Sequence, residues 1–370
     1  MKRVFAQSGE IVVRDVPEPE MRSGEVLIET VYSAISVGTE MWLLDGSGDP
    51  SFVNHEYPLD PPVWPKTRTP IRRDHPLPRP PDPTAISLGY SLAGRVIAID
   101  DAVVDLRPGD LVAASGSQCA HHAEVVSVPR NLVARVPGEV ELRDAALVTV
   151  GSVAMTALRS TRSQFGETVV LYGMGMLGLL AAQIGLAAGY RLIGVEIDAR
   201  RTELAHAIGV EHVVDPTEVD AAAAVLDLTD GYGADAVILG VKTESSEPLN
   251  QCFDMCRQRG RVVAQGLFGM EIERSRFWAN QVELVPAIGY GIGRYDPVYE
   301  EGNVDYPIGL ARWTGNRNQE HFLSLIEEGR VDTRLIAPTE VPIANAPEAY
   351  DLLRSTNRPP TVVLSYHSVA

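Results

Sequence analysis

The sequence predicts an α/β protein in which a strand-rich N-terminal domain precedes a doubly wound parallel sheet. Short apolar runs separated by turn residues occur in residues 1–40 and return in residues 86–137, where their alternation is typical of a small antiparallel β-barrel. Strand-length apolar runs then alternate with helical segments over residues 167–290, as in a parallel sheet flanked by helices. A chain of 370 residues is long enough for two domains. We therefore predict three segments, at residues 1–150, 151–290 and 291–370.

The N-terminal domain begins with short strands. Apolar runs in residues 12–36 are separated by prolines and a glycine, which is typical of strands joined by turns. The segment YSAISVGTEMWLL then passes into a short helical turn that carries Thr39 and Glu40. Strand patterning returns in residues 86–137, beginning with ISLGYSLAGRVIAID.

A proline-rich loop interrupts these strands at residues 45–84. Eleven of the 26 prolines of the chain lie between Pro50 and Pro83, so neither a helix nor a central strand can persist there. A loop of this length inside a folded enzyme is typical of a lid, a binding loop or a docking arm. An insertion without a function is the alternative.

A strand–turn–helix unit between Glu167 and Asp198 predicts a dinucleotide-binding loop. The buried strand 168–172 ends at GMGMLG, residues 173–178, which fits the pattern G-x-G-x-x-G. The first glycine makes the tight turn, the second lets a pyrophosphate approach the backbone, and the third lets helix and strand pack closely. The diphosphate would bind at the helix N-terminus. The loop residues predicted to bind the cofactor are Gly173, Gly175, Met176, Leu177 and Gly178. Three packing glycines without a ligand are the alternative.

The end of the next strand favours NAD. Glu196 lies about 20 residues beyond the loop, where an acid accepts hydrogen bonds from the adenosine ribose and repels a 2′-phosphate. Arg200 and Arg201 follow closely and leave NADP open, and Arg200 is predicted with Glu196 to bind the cofactor. The alternation of strands and helices continues to give six strands, and ligands of such a sheet lie beyond the carboxyl ends of its strands. The residues expected near the nicotinamide on this ground are Gly240, Val241, Gly266 and Leu267.

Composition excludes several classes of function. A formal net charge of −17 makes a nucleic acid an improbable partner. The sequence has neither an uncharged apolar run long enough for a membrane span nor the apolar core of a signal peptide, so we expect a cytoplasmic protein. Three cysteines cannot form a disulfide framework. The acidic charge suits a cationic substrate, although it more often serves solubility.

The order of the motifs SVGTE, GYSLAGRVIAID, RPGDLVA, GMGMLG and GVEID resembles the medium-chain dehydrogenase/reductase superfamily. The resemblance covers nearly the whole chain. It implies a GroES-like β-barrel catalytic domain, completed by residues 291–370, and a Rossmann domain. It also implies a homodimer or homotetramer. The segments GRYDPVYEEGNVDYPIG, WTGNRN and HAEVVSVPRNL are similar to a zinc-free branch that acts on sugars and cyclitols in bacterial specialised metabolism, sometimes as the front half of a two-domain oxidoreductase.

Departures from the zinc-dependent members of the superfamily predict a protein without zinc. The resemblance places Val37, Trp42 and Tyr90 where those members carry ligands, and Ser91 where they carry a glutamate. Valine cannot supply the N or S ligands that zinc needs. A cluster of potential ligands, Cys119, His121, His122 and Glu124, has the spacing of no standard metal site, and we interpret it as the surface of a strand. The predicted cofactor set is therefore NAD(H), with NADP(H) possible and zinc absent.

Hydrogen-bond donors must then stabilise the developing alkoxide. Tyr90 is the first candidate for this role, and Thr39 matches the hydroxyl residue that relays the proton in zinc-dependent relatives. Glu40 could hold a substrate hydroxyl or amine, or act as a base. Packed or capping roles are the alternatives for all three, and His55 is a further proton donor to consider.

Acidic residues on two loops suggest the substrate. In the resembling fold both loops border the substrate cleft, and their acids favour an amine-bearing polyhydroxylated substrate such as an aminocyclitol or an aminoglycoside precursor. Solvated loop charge is the alternative. The acids are Asp45, Asp49, Glu56 and Asp60 on the first loop and Asp296, Glu300, Glu301 and Asp305 on the second.

The sequence thus predicts a zinc-independent, NAD(P)-dependent oxidoreductase that interconverts a secondary alcohol and a ketone on a polar ring. Two rivals stay open. An enone or quinone reductase of the same superfamily would deliver hydride to a carbon other than a carbonyl carbon and would have an apolar site. A silent nucleotide-binding protein would bind NAD(H) without turnover.

Overall fold

The structure is a computed structural model that describes residues 1–44 and 85–366. The proline-rich loop predicted at residues 45–84, with His55 and the four acids of the first loop, lies outside the described residues. The chain forms two compact units. Unit 1 comprises residues 1–150, 292–324 and 337–370, and unit 2 comprises residues 151–291 and 325–336.

Unit 1 contains two sheets. A three-stranded sheet has the order β2-β1-β4, and its paired strands are antiparallel. A seven-stranded sheet has the order β15-β16-β3-β5-β6-β8, with β7 on β3; only β15 and β16 are parallel. The strands are β1 Lys2–Gln7, β2 Glu10–Asp15, β3 Glu25–Ala34, β4 Ala85–Ser87, β5 Ser91–Ile99, β6 Leu111–Ser115, β7 Val125–Pro129, β8 Val133–Arg135, β15 Thr339–Pro342 and β16 Val362–Ser365.

Short helices accompany these sheets. The first, α1, begins where β3 ends and buries Met41, Leu43 and Leu44. These side chains join a core with Val4, Leu88 and other apolar residues of both sheets. The helices of unit 1 are α1 Val37–Leu44, α2 Leu142–Ala145, α9 Pro297–Glu300 and α11 Ala346–Arg354, with 3₁₀ turns at Arg130–Leu132 and Ile343–Asn345. Two helices, α3 Val148–Thr161 and α10 Gly315–Glu327, cross the boundaries between the units.

Unit 2 is a six-stranded parallel sheet with the order β11-β10-β9-β12-β13-β14. Every residue of the central strand β9 is buried, because helices cover both of its faces. The strands are β9 Thr168–Tyr172, β10 Arg191–Val195, β11 His212–Val214, β12 Ala234–Leu239, β13 Cys256–Ala264 and β14 Glu283–Pro286. The helices are α4 Met176–Ala187, α5 Ala199–Ile208, α6 Ala221–Leu228, α7 Glu247–Met255 and α8 Arg274–Ala279, with a 3₁₀ turn at Thr333–Leu335. The predicted fold class, including the doubly wound parallel sheet, is confirmed.

The local signals for helix ends act as expected in α5. The Asp198 side chain accepts a hydrogen bond from the Arg200 amide at its start, and Gly209 ends it in the left-handed conformation. Helix α7 ends at Met255, because Cys256 is extended and begins β13. Pairing of that strand with β12 overrides the helical pattern. No helix in the described part of the chain is long and apolar enough to cross a membrane.

Candidate active site

The glycine-rich loop of unit 2 has the geometry that its pattern predicts. Gly173 has a φ of +102°, which favours glycine. A Cβ on Gly178 would lie 2.1 Å from the Gly173 carbonyl oxygen, so the first turn of α4 packs directly on the loop. A Cβ on Gly175 would meet only Arg201 Nη1, at 4.0 Å. The backbone above Gly175 is therefore open to a ligand, and α4 begins at the next residue with no side-chain cap.

Glu196 ties the end of β10 to this loop. The carboxylate is 5% exposed. Its Oε2 accepts a hydrogen bond from the Met174 amide at 2.8 Å, and its Oε1 accepts bonds from the amides of Ile197 and Asp198 at 2.9 and 3.0 Å. Arg201 lies 3.6 Å from the same carboxylate. The predicted ribose acceptor thus also organises the loop that would bind the diphosphate.

The two arginines that follow Glu196 differ in their surroundings. Arg200 donates to the Asp198 carboxylate at 3.1–3.2 Å and lies on the exposed side of α5. Arg201 is the arginine whose guanidinium lies beside Gly175. Of the two, Arg201 is the better placed to contact a nucleotide phosphate, and the sequence pattern alone does not distinguish them.

The residues predicted near the nicotinamide meet at the carboxyl ends of β9, β12 and β13. Gly240 donates a backbone hydrogen bond to the Tyr172 carbonyl at 2.8 Å, and Leu267 donates one to the Val241 carbonyl at 2.9 Å. A Cβ on Gly266 would lie 2.2 Å from the Val241 oxygen. The structure therefore brings these four residues together beside the loop, since Val241 Cγ1 lies 3.0 Å from the Cβ position of Gly173.

Unit 1 contains a hydroxyl cluster, which we define as Ser36, Thr39 and Tyr90, at the N-terminus of α1. The Tyr90 hydroxyl donates a hydrogen bond to Ser36 Oγ. Burial raises the pKa of Tyr90 to about 12, although hydrogen bonds to Ser36 and Thr39 oppose the shift. Tyr90 is therefore protonated at neutral pH. The amide dipoles at the start of α1 favour negative charge at this position.

A carboxylate network, defined as Glu40, His122, Tyr350, Ser33 and Tyr366, lies behind this cluster. His122 Nε2 lies 3.1 Å from Glu40 Oε2, and Tyr350 also donates to that oxygen. Ser33 Oγ lies 2.7 Å from His122 Nδ1 and 2.7 Å from the Tyr366 hydroxyl. Because a carboxylate can only accept, His122 carries a proton on Nε2. Burial raises the pKa of both Tyr350 and Tyr366, so both phenols remain donors.

The network places Glu40 differently from the role expected of it. Glu40 is 1% exposed, and both of its carboxylate oxygens accept hydrogen bonds from protein groups. This burial places the carboxylate behind the hydroxyl cluster. Ser36, by contrast, was missed by the sequence reasoning, although a serine before a short helical segment is a recognisable cap signal.

The interpretation of the cluster around His122 as strand surface is wrong. Residues 119–122 form a loop, and His122 is fully buried. The Val4 amide of β1 donates a backbone hydrogen bond to the His122 carbonyl, and the His122 amide donates one to the Leu88 carbonyl. These bonds tie the loop to residues distant in the sequence, so a sequence pattern does not reveal its burial. Burial also raises the pKa of the Cys119 thiol well above its ordinary value, so this thiol is not a reactive thiolate.

The acids of the second loop largely pair within the protein. Arg294 binds the buried Glu300 carboxylate at 2.9 and 3.1 Å. Asp296 accepts from the Val298 amide at the start of α9, and Asp305 binds Arg317. These contacts weaken the expectation that the loop presents an acidic rim to a cationic substrate.

Comparisons with known proteins agree with this architecture. Residues 177–301 match the family described as Zinc-binding dehydrogenase. The sorbitol dehydrogenase of Halalkalibacterium halodurans is 24% identical, with 94% of each chain covered. The (R,R)-butanediol dehydrogenase of Bacillus subtilis is 26% identical over 76% of this chain and 82% of the relative. The solved structure of galactitol-1-phosphate dehydrogenase from Escherichia coli is 15% identical, with a TM-score of 0.76 over 99% of this chain and 100% of that one.

The match to a zinc-binding family contradicts the prediction of a cofactor set without zinc. That prediction rested on a few presumed ligand positions in the N-terminal half, whereas the match lies in residues 177–301. We therefore correct it: zinc is to be expected from the relationship. Within residues 1–44 and 85–366, however, no group of three or more His, Cys, Asp or Glu side chains could hold a metal ion. The described residues therefore do not fit a zinc site.

Proposed function

We propose that this chain, an oxidoreductase of the alcohol dehydrogenase type in the medium-chain dehydrogenase/reductase superfamily, interconverts a secondary alcohol and a ketone on a polyol or cyclitol. The observation that supports this proposal most directly is the hydroxyl cluster at the start of α1, where a protonated tyrosine occurs in the same chain as a dinucleotide-binding loop. Relatives named sorbitol and butanediol dehydrogenase support a small polyol as the substrate class.

The cofactor of the proposed reaction is NAD(H) or NADP(H), which supplies the hydride when bound. The open backbone at Gly175 and the uncapped start of α4 would hold the diphosphate. Glu196 would accept hydrogen bonds from the ribose, which favours NAD, while Arg201 beside Gly175 would tolerate the phosphate of NADP. The segments at Gly240 and Gly266 would support the nicotinamide.

In ketone reduction the Tyr90 O–H would turn from Ser36 Oγ to the carbonyl oxygen and donate its proton there as hydride reaches the carbon. Its pKa of about 12 keeps the donor protonated, and the N-terminus of α1 would stabilise the phenolate that remains. Ser36 holds the hydroxyl in place, and Thr39 would return a proton to it from solvent. Alcohol oxidation would run the same steps in reverse.

A substrate panel tests the proposal. Oxidation of NADH and NADPH would be followed with keto-polyols, keto-cyclitols, aminoglycoside ketones and quinones. We expect turnover of at least one polyol-derived ketone, with NADH preferred. Turnover confined to quinones or enones would replace the proposal with a reductase of carbon–carbon double bonds or quinones, and tight cofactor binding without any turnover would indicate a silent nucleotide-binding protein.

A further inference from the structure

We propose that His122 is a positioning residue for the Tyr90 hydroxyl and acts through Glu40 and Ser36. The inference rests on the proposed function, in which Tyr90 donates the proton. His122 does not touch the hydroxyl cluster through any hydrogen bond of its own: its ring nitrogens contact Glu40 and Ser33. Its influence on Tyr90 must therefore pass through another residue.

The first step of this path is the fixing of the Glu40 carboxylate. His122 Nε2 and the Tyr350 hydroxyl both donate to Oε2, and Oε1 accepts from the Ser36 amide at 2.7 Å. All of these groups are buried to 97% or more. A buried carboxylate is strongly destabilised when a partner is removed, so loss of the His122 donor would cause the side chain to rearrange.

The second step is the effect of that carboxylate on Ser36. Ser36 immediately precedes α1, and a carboxylate from the first turn of a helix that reaches back to the preceding amide fixes the start of the helix. With the Ser36 backbone fixed, its Oγ accepts the hydrogen bond from Tyr90. Because the path crosses Ser36 through its backbone amide, it transmits position and does not transfer a proton.

The His122 ring is itself held from the side of Tyr90. Gly89, the residue before Tyr90, has a φ of +94° and packs directly against His122. A Cβ at Gly89 would lie 2.4 Å from the His122 amide nitrogen and 2.7 Å from Cγ of the His122 ring. Ser33 Oγ holds the other ring nitrogen, Nδ1, and is itself hydrogen-bonded to the Tyr366 hydroxyl. A ring fixed on three sides, with both nitrogens bonded, has the rigidity that a positioning residue requires.

Two substitutions of similar size separate positioning from general stability. His122→Gln places an amide nitrogen near the position of Nε2 and retains the donor to Glu40. His122→Asn places its amide near the position of Nδ1 and retains only the contact with Ser33. Each variant loses one of the two hydrogen bonds of the histidine, so a merely structural role predicts similar losses for both.

We expect His122→Asn to lower kcat for ketone reduction about tenfold or more, with KM changed by less than about threefold, because misplaced catalytic groups slow the chemical step. His122→Gln should stay within about threefold of the wild-type kcat. Equal kcat values for the two variants would overturn the proposal. Circular dichroism would establish that both variants are folded.

Amide hydrogen exchange supplies a readout that does not depend on activity. Exchange at Ser36, whose amide donates to Glu40, should be faster in His122→Asn and unchanged in His122→Gln. Equal exchange in both variants would contradict the positioning path even if Tyr90 is the proton donor. Conversely, a fully active Tyr90→Phe variant would refute the proposed function, and exchange at Ser36 alone would then decide whether His122 fixes the start of α1.

Discussion

At the residue scale, Tyr90 is a polar side chain placed against the start of a helix. The hydrogen bond to Ser36 and the approach to Thr39 gather three hydroxyls at one point, and the buried carboxylate of Glu40 lies behind them. Hydroxyls with a protonated phenol among them can donate to a carbonyl oxygen. This arrangement is the basis of the proposed chemistry.

Glu196 holds the glycine-rich loop and is proposed to bind the ribose, and one substitution tests both. Glu196→Gln should weaken NADH binding about tenfold, because hydrogen bonds to a charged acceptor contribute more than bonds to a neutral amide. The Met174 amide would also lose its charged acceptor. Fluorescence titration of NADH measures the effect, and Glu203→Gln, at an exposed position of α5, is the matched control. Equal affinities of the two variants would remove Glu196 from the cofactor site.

The positions of some candidate site residues could be predicted from the sequence, and those of others could not. The glycines of residues 173–178 and the acid at Glu196 follow a pattern in which spacing along one strand–turn–helix unit determines position. The links from Glu40 to His122 and Tyr350 join residues 82 and 310 positions apart, and no local pattern predicts such pairs. The ion pair of Arg294 and Glu300 joins residues only six positions apart, but it spans an irregular segment in which no helical or strand period indicates which side chains meet.

At the element scale, the contact between the glycine-rich loop and α4 would determine where the diphosphate of the proposed cofactor binds. The strand–turn–helix order was predicted because the spacing of apolar residues and the positions of the glycines indicate the same elements over residues 168–189. Element ends were less predictable. Helix α7 gives way to β13 at Cys256, where pairing with the neighbouring strand decides the conformation.

Gly178→Ala tests that contact. The added Cβ would lie 2.1 Å from the Gly173 carbonyl oxygen, so helix and loop must separate. We expect the free energy of unfolding to fall by about 2–3 kcal/mol and NADH affinity to fall with it. Urea unfolding measures the first and titration the second. Gly138→Ala, where a Cβ meets no atom within 4 Å, should change neither. Equal stability of the two variants would contradict the packing described.

At the scale of the whole molecule, the fold class was predictable because six strands and their helices repeat one pattern along the chain. The match to a zinc-binding family was not predictable from a few substituted ligand positions in the N-terminal half of the chain.

Net charge is also a property of the whole molecule. A formal net charge of −17 produces self-repulsion in the folded state, and salt screens it.

The melting temperature should therefore rise by a few degrees as NaCl increases from about 20 to 200 mM, a range over which the Debye length shortens substantially. Differential scanning calorimetry measures the shift. An unchanged or lower melting temperature at the higher salt concentration would show that the acidic residues are compensated by ion pairs throughout the chain.

The central claim is that the Tyr90 hydroxyl supplies the proton for ketone reduction. The most direct measurement is kcat for Tyr90→Phe with the best ketone of the panel, since phenylalanine removes only the hydroxyl. We predict a loss of about 100-fold, the scale of general acid catalysis, with NADH affinity unchanged. A kcat within about threefold of wild type would contradict the account and assign the proton transfer to another group.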